Sequence, residues 1–343
     1  VKPFQKAEDF LATLEINQEL GDLTLTSVTG LRDGNNSSER DFDQGYRPNA
    51  FNPGTFGTHV IPDAGNGNGV MTYLLSGRTV TTTDYRTSQT GGGTRKQFSQ
   101  EVRLASRFDG GFNFILGGFY LNSRASGYVD TWTPANRTFG AVSKFDTRLG
   151  QVKSYAVFGE AYVDLAENLK LTGGLRYTHD EKHIETASGT FALNPYFIGD
   201  AEFDKVTGRA ILNWNPTLSF TQDTNVYLSF SRGFKSGGFN PGNNTIPVFE
   251  SEVIDAYELG IKNTFMDGKG RLNLALFNYE YSNLIVGNLV GTAVANTNIP
   301  KSRVRGLEAE LVLTPVDPLR LEASLGLLNA TVRSDYRSSD PSR

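Results

Sequence analysis

Cysteine is absent from this chain of 343 residues, tryptophan and methionine occur twice each, and no apolar run reaches 18 residues. Without cysteine there is no disulfide framework and no thiolate metal site. Without a long apolar run, no α-helix crosses a membrane. Neither sign of charge dominates: 33 Lys and Arg stand against 37 Asp and Glu, spread along the chain, which leaves no footprint for nucleic acid. What is plentiful is glycine (37) and the smaller aromatics, with 23 Phe and 14 Tyr. The length suits one large β domain or two ordinary ones. Mean hydropathy is −0.34, a soluble-looking value. A strand crosses a bilayer in only about 9 to 11 residues, alternating lipid-facing and water-facing side chains, so such an average leaves a barrel open.

Strand alternation runs through the chain, and helical periodicity is scarce. From Leu169 to Thr178, Leu169, Leu171, Leu175 and Tyr177 alternate with Lys170, Thr172, Arg176 and Thr178. From Tyr257 to Phe265, Glu258, Lys262 and Thr264 share one face while Tyr257, Leu259 and Ile261 share the other. Leu321, Ala323, Leu325 and Leu327 likewise oppose Glu322 and Ser324. Inside a soluble sandwich the charged faces would be buried without partners, at high cost. In a water-filled barrel they are solvated and the apolar faces meet lipid.

The pattern predicts twelve strands, at about 9–17, 22–32, 97–107, 112–123, 152–164, 169–182, 204–214, 224–234, 254–265, 270–282, 301–313 and 319–332. Their connections alternate in length. Short turns fall at 19–22, 109–111, 166–168, 215–223, 266–270 and 316–318, and long Gly-rich stretches at 33–96, 124–151, 183–203, 235–253 and 283–300. Short turns on one side and long loops on the other are the habit of outer-membrane barrels, whereas a propeller would repeat every four strands. The fold class expected is therefore all-β, an antiparallel transmembrane β-barrel. On this scheme both chain ends lie on the long-loop side, and no secretory signal stands at Val1, Lys2 and Pro3, so an internal fragment is expected.

Residues 226–240 read VYLSFSRGFKSGGFN. Val226, Leu228 and Phe230 alternate with Tyr227, Ser229 and Ser231 before the strand runs into Arg232, Gly233, Phe234, Lys235 and a Gly-Gly turn. This segment resembles the barrel signature of TonB-dependent receptors. So, in order and spacing, do Ser99–Ser106, Gly173–Thr178, Tyr257–Lys262, Asn278–Leu284 and Gly306–Glu310. The resemblance implies a 22-stranded outer-membrane barrel, a plug domain and a TonB box. It makes residues 1–343 a partial barrel domain of about twelve strands with the plug absent. It implies a receptor, not an enzyme, that binds a scarce nutrient, a ferric siderophore on the first reading, and imports it to the periplasm with energy from TonB and its inner-membrane complex. Iron then enters only as part of the transported complex, and no cofactor is bound covalently. The implied partners are outer-membrane lipid, TonB and a small-molecule ligand, with no nucleic acid, and the protein is a monomer. The alternatives are a passive porin-like channel and a TonB-dependent importer of oligosaccharide or vitamin B12. A non-transporting surface barrel and a soluble sandwich or propeller are the remaining rivals.

Candidate ligand contacts come from Arg and aromatics in the long connections, since these suit an anionic, partly aromatic ligand. They are Arg40, Tyr46, Arg47, Tyr85, Arg86, Trp132 and Arg137, joined by Lys235 where a strand enters a long loop. His59, Tyr73 and Arg78 lie in the same first connection. No catalytic residue is expected, and no metal ligand. The run His179-Asp-Glu-Lys-His183 has the wrong order for a zinc-binding H-E-x-x-H helix. On a strand its two histidines share a face about 13 Å apart, too far for one ion. Glycines at 237 and 238 are expected to supply positive φ, and Phe234 and Phe239 to join an interfacial aromatic belt.

Overall fold

A computed structural model describes residues 3–41, 59–61, 70–75, 78–82, 88–132, 143–190, 194–241, 246–290 and 293–335. The strands, in chain order, are β1 (Phe4–Leu20), β2 (Leu23–Asp41), β3 (His59–Ile61), β4 (Val70–Leu75), β5 (Arg78–Thr82), β6 (Ser88–Ser106), β7 (Phe112–Trp132), β8 (Ser143–Ala166), β9 (Leu169–Thr190), β10 (Asn194–Trp214), β11 (Asp223–Lys235), β12 (Gly238–Phe239), β13 (Val248–Phe249), β14 (Glu252–Phe265), β15 (Gly270–Val290), β16 (Ala293–Val316) and β17 (Leu319–Val332). Twelve of them form one antiparallel sheet in the order β1-β2-β6-β7-β8-β9-β10-β11-β14-β15-β16-β17. Every neighbour in the sheet is the next long strand in sequence. β3, β4 and β5 make a small separate sheet, and β12 pairs with β13.

The twelve expected strands are all present, and most run further than expected at the long-connection end. β2 continues to Asp41, β6 begins at Ser88, and β9 with β10 takes up all but 191–193 of the stretch read as the loop 183–203. The short turns fall where alternation stopped. Gly21 adopts φ 66° between Leu20 and Leu23, and Met266, Asp267 and Gly268 adopt φ 57°, 56° and 81° in the β14–β15 turn. These left-handed values reverse the chain within a few residues.

One face of this sheet is apolar and uncovered. Leu175 is 69% exposed and Val157 62%, and no large side chain among the described residues is fully buried. The register aligns these residues across strands. Leu171 faces Leu212, which faces Leu228, and the row continues through Leu259, Leu276 and Leu307 to Leu327. The opposite face carries the polar set. There Arg209 donates to both oxygens of Glu160 at 2.7 Å, and the Tyr227 hydroxyl donates to Glu258 at 2.6 Å. A single-layer sheet with a bare apolar face is unstable in water but stable in a bilayer.

The upper edge of the apolar band tilts against the register. On β2 the last apolar residue is Leu31, followed on the same face by Asp33, and Leu31 is level with Phe98, Asn122, Lys153 and finally Glu181 of β9. On β16 the last is Leu307, followed by Arg305, and Leu307 is level with Leu171 of β9. The edge therefore slips ten residues along β9 over nine strand steps. At 3.3 Å per residue and 4.8 Å per strand, that slip is a tilt of about 37°, within the roughly 35–45° of membrane barrels. The short turns slip the same way: Leu25, third in β2, is level with Leu175, seventh in β9. If the band is horizontal, the strands are tilted by the angle a barrel requires.

Candidate functional site

Above the band, at the long-connection end, the chain between β11 and β14 folds over the polar face. Its described parts are Ser236–Pro241 and Ile246–Ser251. Gly237 lies against Phe203, a β10 residue only 7% exposed, and the Lys182 ammonium of β9 donates to the Gly237 carbonyl at 2.5 Å. Lys182 also sits 5.5 Å from the centre of the Phe203 ring, and burial pulls its pKa below the ordinary 10.5. Phe239 meets Phe197 edge-on, with ring centres 6.3 Å apart.

Asn240 fixes the far side. Its amide donates to the carbonyls of Ile246 (3.0 Å) and Asn296 (2.8 Å), and its side-chain carbonyl accepts from the Asn296 N–H (2.9 Å). Asn298 accepts from the Glu250 N–H and donates to the Glu250 and Asn283 carbonyls. The Gly237 N–H donates to the Ser251 hydroxyl. The segment is thus a strap tied at one end to β9 and β10 and at the other to β15 and β16.

Two expectations about this segment are corrected. Neither Gly237 nor Gly238 has positive φ; among the described glycines only Gly21 and Gly268 do. Glycine is needed at 237 for close approach: a Cβ there would stand 2.3 Å from the Phe249 carbonyl oxygen and 2.5 Å from the Phe203 ring. Phe239 packs on the polar-face side above the band and is no part of a belt. The aromatic edge of the apolar band is Phe230 with Tyr257, whose ring centres lie 5.1 Å apart. Phe234 lies on that outer face, one row beyond the Arg232–Asp255 ion pair (2.6 Å).

Of the expected ligand contacts, Arg40, Trp132 and Lys235 are described. The register sets Arg40 beside Gln89 and Thr131, and Trp132 beside Ser88. Adjacent positions on a strand face opposite ways, so Arg40 and Trp132 project to opposite sides. Lys235 ends β11, six strand steps from β2, opposite Glu252. These three do not come together. Tyr46, Arg47, Tyr85, Arg86 and Arg137 lie outside the described residues. The clamp made by Asn240, and the Lys182 of β9 and Phe203 of β10 that meet Gly237, carry no local sequence pattern, because each contact joins distant parts of the chain.

His179 and His183 do share a face of β9, and each is held by its own carboxylate: Asp204 at 2.9 Å and Asp200 at 2.7 Å. The Asp200 hydrogen bond, and then that of Glu185, raise the His183 pKa above the ordinary 6.5. No group of three or more His, Asp or Glu among the described residues is placed to hold a metal ion.

Residues 4–342 match the family described as TonB dependent receptor-like, beta-barrel. Among solved structures, the chain resembles the ferric yersiniabactin uptake receptor FyuA from Yersinia pestis at 15% identity and TM-score 0.68, over 97% of this chain and 44% of that one. It resembles the siderophore receptor PiuA from Acinetobacter baumannii at 17% identity and TM-score 0.66, over 100% and 49%. The copper transporter OprC matches at 14% identity and TM-score 0.67, over 97% and 47%. The chain spans about half the length of these structures, and at such identities the likeness is one of fold.

Proposed function

The chain belongs to the TonB-dependent receptor-like β-barrel family, whose members are outer-membrane barrels, and we propose that it forms part of the wall of an importer for a scarce nutrient, a ferric siderophore. On this reading residues 1–343 are one partial barrel domain, the polar face lines the lumen and the apolar band meets lipid. The plug and the TonB contact belong to parts of the receptor outside this domain. Iron is cargo within its chelate. No step in this function forms or breaks a covalent bond.

The observation that carries the reading is the strap at the outer mouth. On the polar face beneath it lie the half-buried Lys182 ammonium, which donates to the Gly237 carbonyl and sits over the Phe203 ring, and the Phe197–Phe239 ring pair. Cation and aromatic together suit an anionic chelate with aromatic arms. A passive pore gains nothing from such a lining, whereas a receptor that must capture a dilute ligand does. One structural neighbour is described as a siderophore receptor and another as a ferric yersiniabactin uptake receptor, which agrees with this class of cargo.

The test is uptake of radiolabelled ferric siderophores by a strain deleted for the receptor and grown under iron limitation. Loss of uptake for one siderophore class, restored by the wild-type gene but not in a strain lacking TonB, is expected. Unchanged iron acquisition overturns the siderophore reading. Uptake that persists without TonB favours the passive channel.

A further inference from the structure

The outer rim of the apolar band is not uniform in charge. On β9 and β10 carboxylates are in excess: Glu181, Glu185, Asp200, Glu202 and Asp204 project above Tyr177 and Val206, against His179, His183 and the Lys153 of β8 that pairs with Glu181. On β11 to β17 it is basic. Arg232 is paired with Asp255, and Arg303 with Glu280, which also draws in Arg333 at 3.7 Å. Both carboxylates of this sector are thereby engaged. Lys301 and Arg305 remain, both exposed, and among the described residues neither side chain makes an ion pair or a hydrogen bond.

Arg305 stands in a particular place. The register puts it between Asn278 and Asn329, with Tyr257 one strand further on, all on the lipid face. Directly beneath is the row Leu228, Leu259, Leu276, Leu307 and Leu327. Together they line an open groove of about 680 Å³, which has the volume of a small-molecule site. The Arg305 guanidinium and two amides, one N–H of Asn278 already donating to Glu280 at 3.4 Å, therefore cap a leucine-lined groove at the level where lipid headgroups meet acyl chains. A guanidinium binds phosphate oxygens through two parallel hydrogen bonds. An acyl chain fits the leucines.

We propose that this groove is a binding site for one phosphorylated, acylated lipid of the outer leaflet, with Arg305 on the phosphate, Asn278 and Asn329 as flanking donors, and acyl chains along Leu276, Leu307 and Leu327. The acidic sector on β9 and β10 repels the same headgroup, so the lipid occupies one side of the barrel. The proposal rests on the membrane reading of the apolar band.

The intact receptor, purified in detergent, is examined by native mass spectrometry with three lipids: a diphosphorylated hexa-acyl lipid A, its dephosphorylated form, and phosphatidylethanolamine. Retention of the diphosphorylated lipid alone, weakened by added salt, is expected. Arg305→Ala should weaken it about fivefold and Arg305→Glu about 25-fold, at roughly a factor of five per basic charge near an anionic surface. Arg305→Lys should retain most of the binding, and Glu202→Gln, in the acidic sector, should leave it unchanged. Equal retention of all three lipids, salt-independent retention, or no loss in Arg305→Glu overturns the site. Competition by inorganic phosphate alone would show an anion site with no role for the leucines, and would also overturn it. A receptor that stays in solution without detergent defeats the membrane reading instead. The wild-type salt dependence tests the site even if a variant fails to fold.

Discussion

Leu274 and Ala275 are adjacent on β15 and face opposite ways, so the same substitution at each separates the two environments. Leu274 pairs with Ile261 and Ala309 and is flanked along β15 by Leu272 and Leu276 on its face. Eight residues separate Gly270, at the short turn, from Asn278, at the band's upper edge. With 3.3 Å per residue and a tilt of about 37°, that span is about 21 Å along the membrane normal, close to the roughly 25 Å apolar band of outer-membrane barrels. Leu274 is halfway along it, about 11 Å from either edge. Its cross-strand neighbours offer an arginine no carboxylate. Leu274→Arg should therefore cost about 2–4 kcal/mol, the value for Arg or Lys at the midplane. Ala275→Arg enters the polar face opposite Glu308 and should change stability by less than about 1 kcal/mol. Ser282→Arg, on the lipid side but above the band, should also cost less than about 1 kcal/mol, part of it repulsion from Lys301 across the ladder. The measurement is urea unfolding of the intact receptor in short-chain phospholipid vesicles, followed by the loss of its compact band on unheated gels. Equal costs at Leu274 and Ala275, or a cost at Ser282 matching that at Leu274, would refute both the orientation of the sheet and its depth.

The strap and the outer rim give three further tests. Asn240→Ala leaves the N–H and C=O of Asn296 without a partner, at about 1–3 kcal/mol for each buried group; hydrogen exchange should quicken at 237–240 and 296 with little change in the melting of the barrel, and unchanged protection would show the strap to be held otherwise. Gly237→Ala should loosen the same segment through the 2.3 Å approach to the Phe249 carbonyl, whereas Gly173→Ala, where a Cβ meets nothing within 4 Å, should not. His183 has a pKa raised by Asp200 and Glu185, so its contribution to stability is complete below the ordinary 6.5 and is lost as pH rises through the raised value. An NMR titration of its ring protons should place the midpoint above 6.5, and a midpoint at or below 6.5 would contradict the Asp200 contact.

What was legible in the sequence, and what was not, follows from the bilayer. Alternation of period two marks a strand only while one side is lipid and the other water. The expected strand 169–182 ran a little past Tyr177, where the band ends, while the ladder itself continues to Thr190. Beyond Tyr177 the outward positions are His179, Glu181, His183 and Glu185, so both faces are polar and the signal vanishes although the pairing does not. β2 shows the same truncation: expected to stop at 32, beside Leu31, it runs on to Asp41. Expected strand lengths therefore tracked the membrane thickness more than the strands. The tilt was hidden for a different reason. It lies in no single segment and appears only when Leu31 and Leu307 are compared through the register. At Gly237 and Gly238 the sequence is ambiguous because glycine has two uses. The Gly-Gly pair looks like a turn needing positive φ, and only the distant Phe203 and Phe249 show that space was the constraint. The groove under Arg305 is a third case. Asn278, Arg305 and Asn329 lie 24 to 27 residues apart in the chain, yet β15, β16 and β17 bring them into one row. A local signal thus identifies the family and its membrane span, whereas the features particular to this barrel, its mouth and its basic rim, are made by residues that meet only across strands.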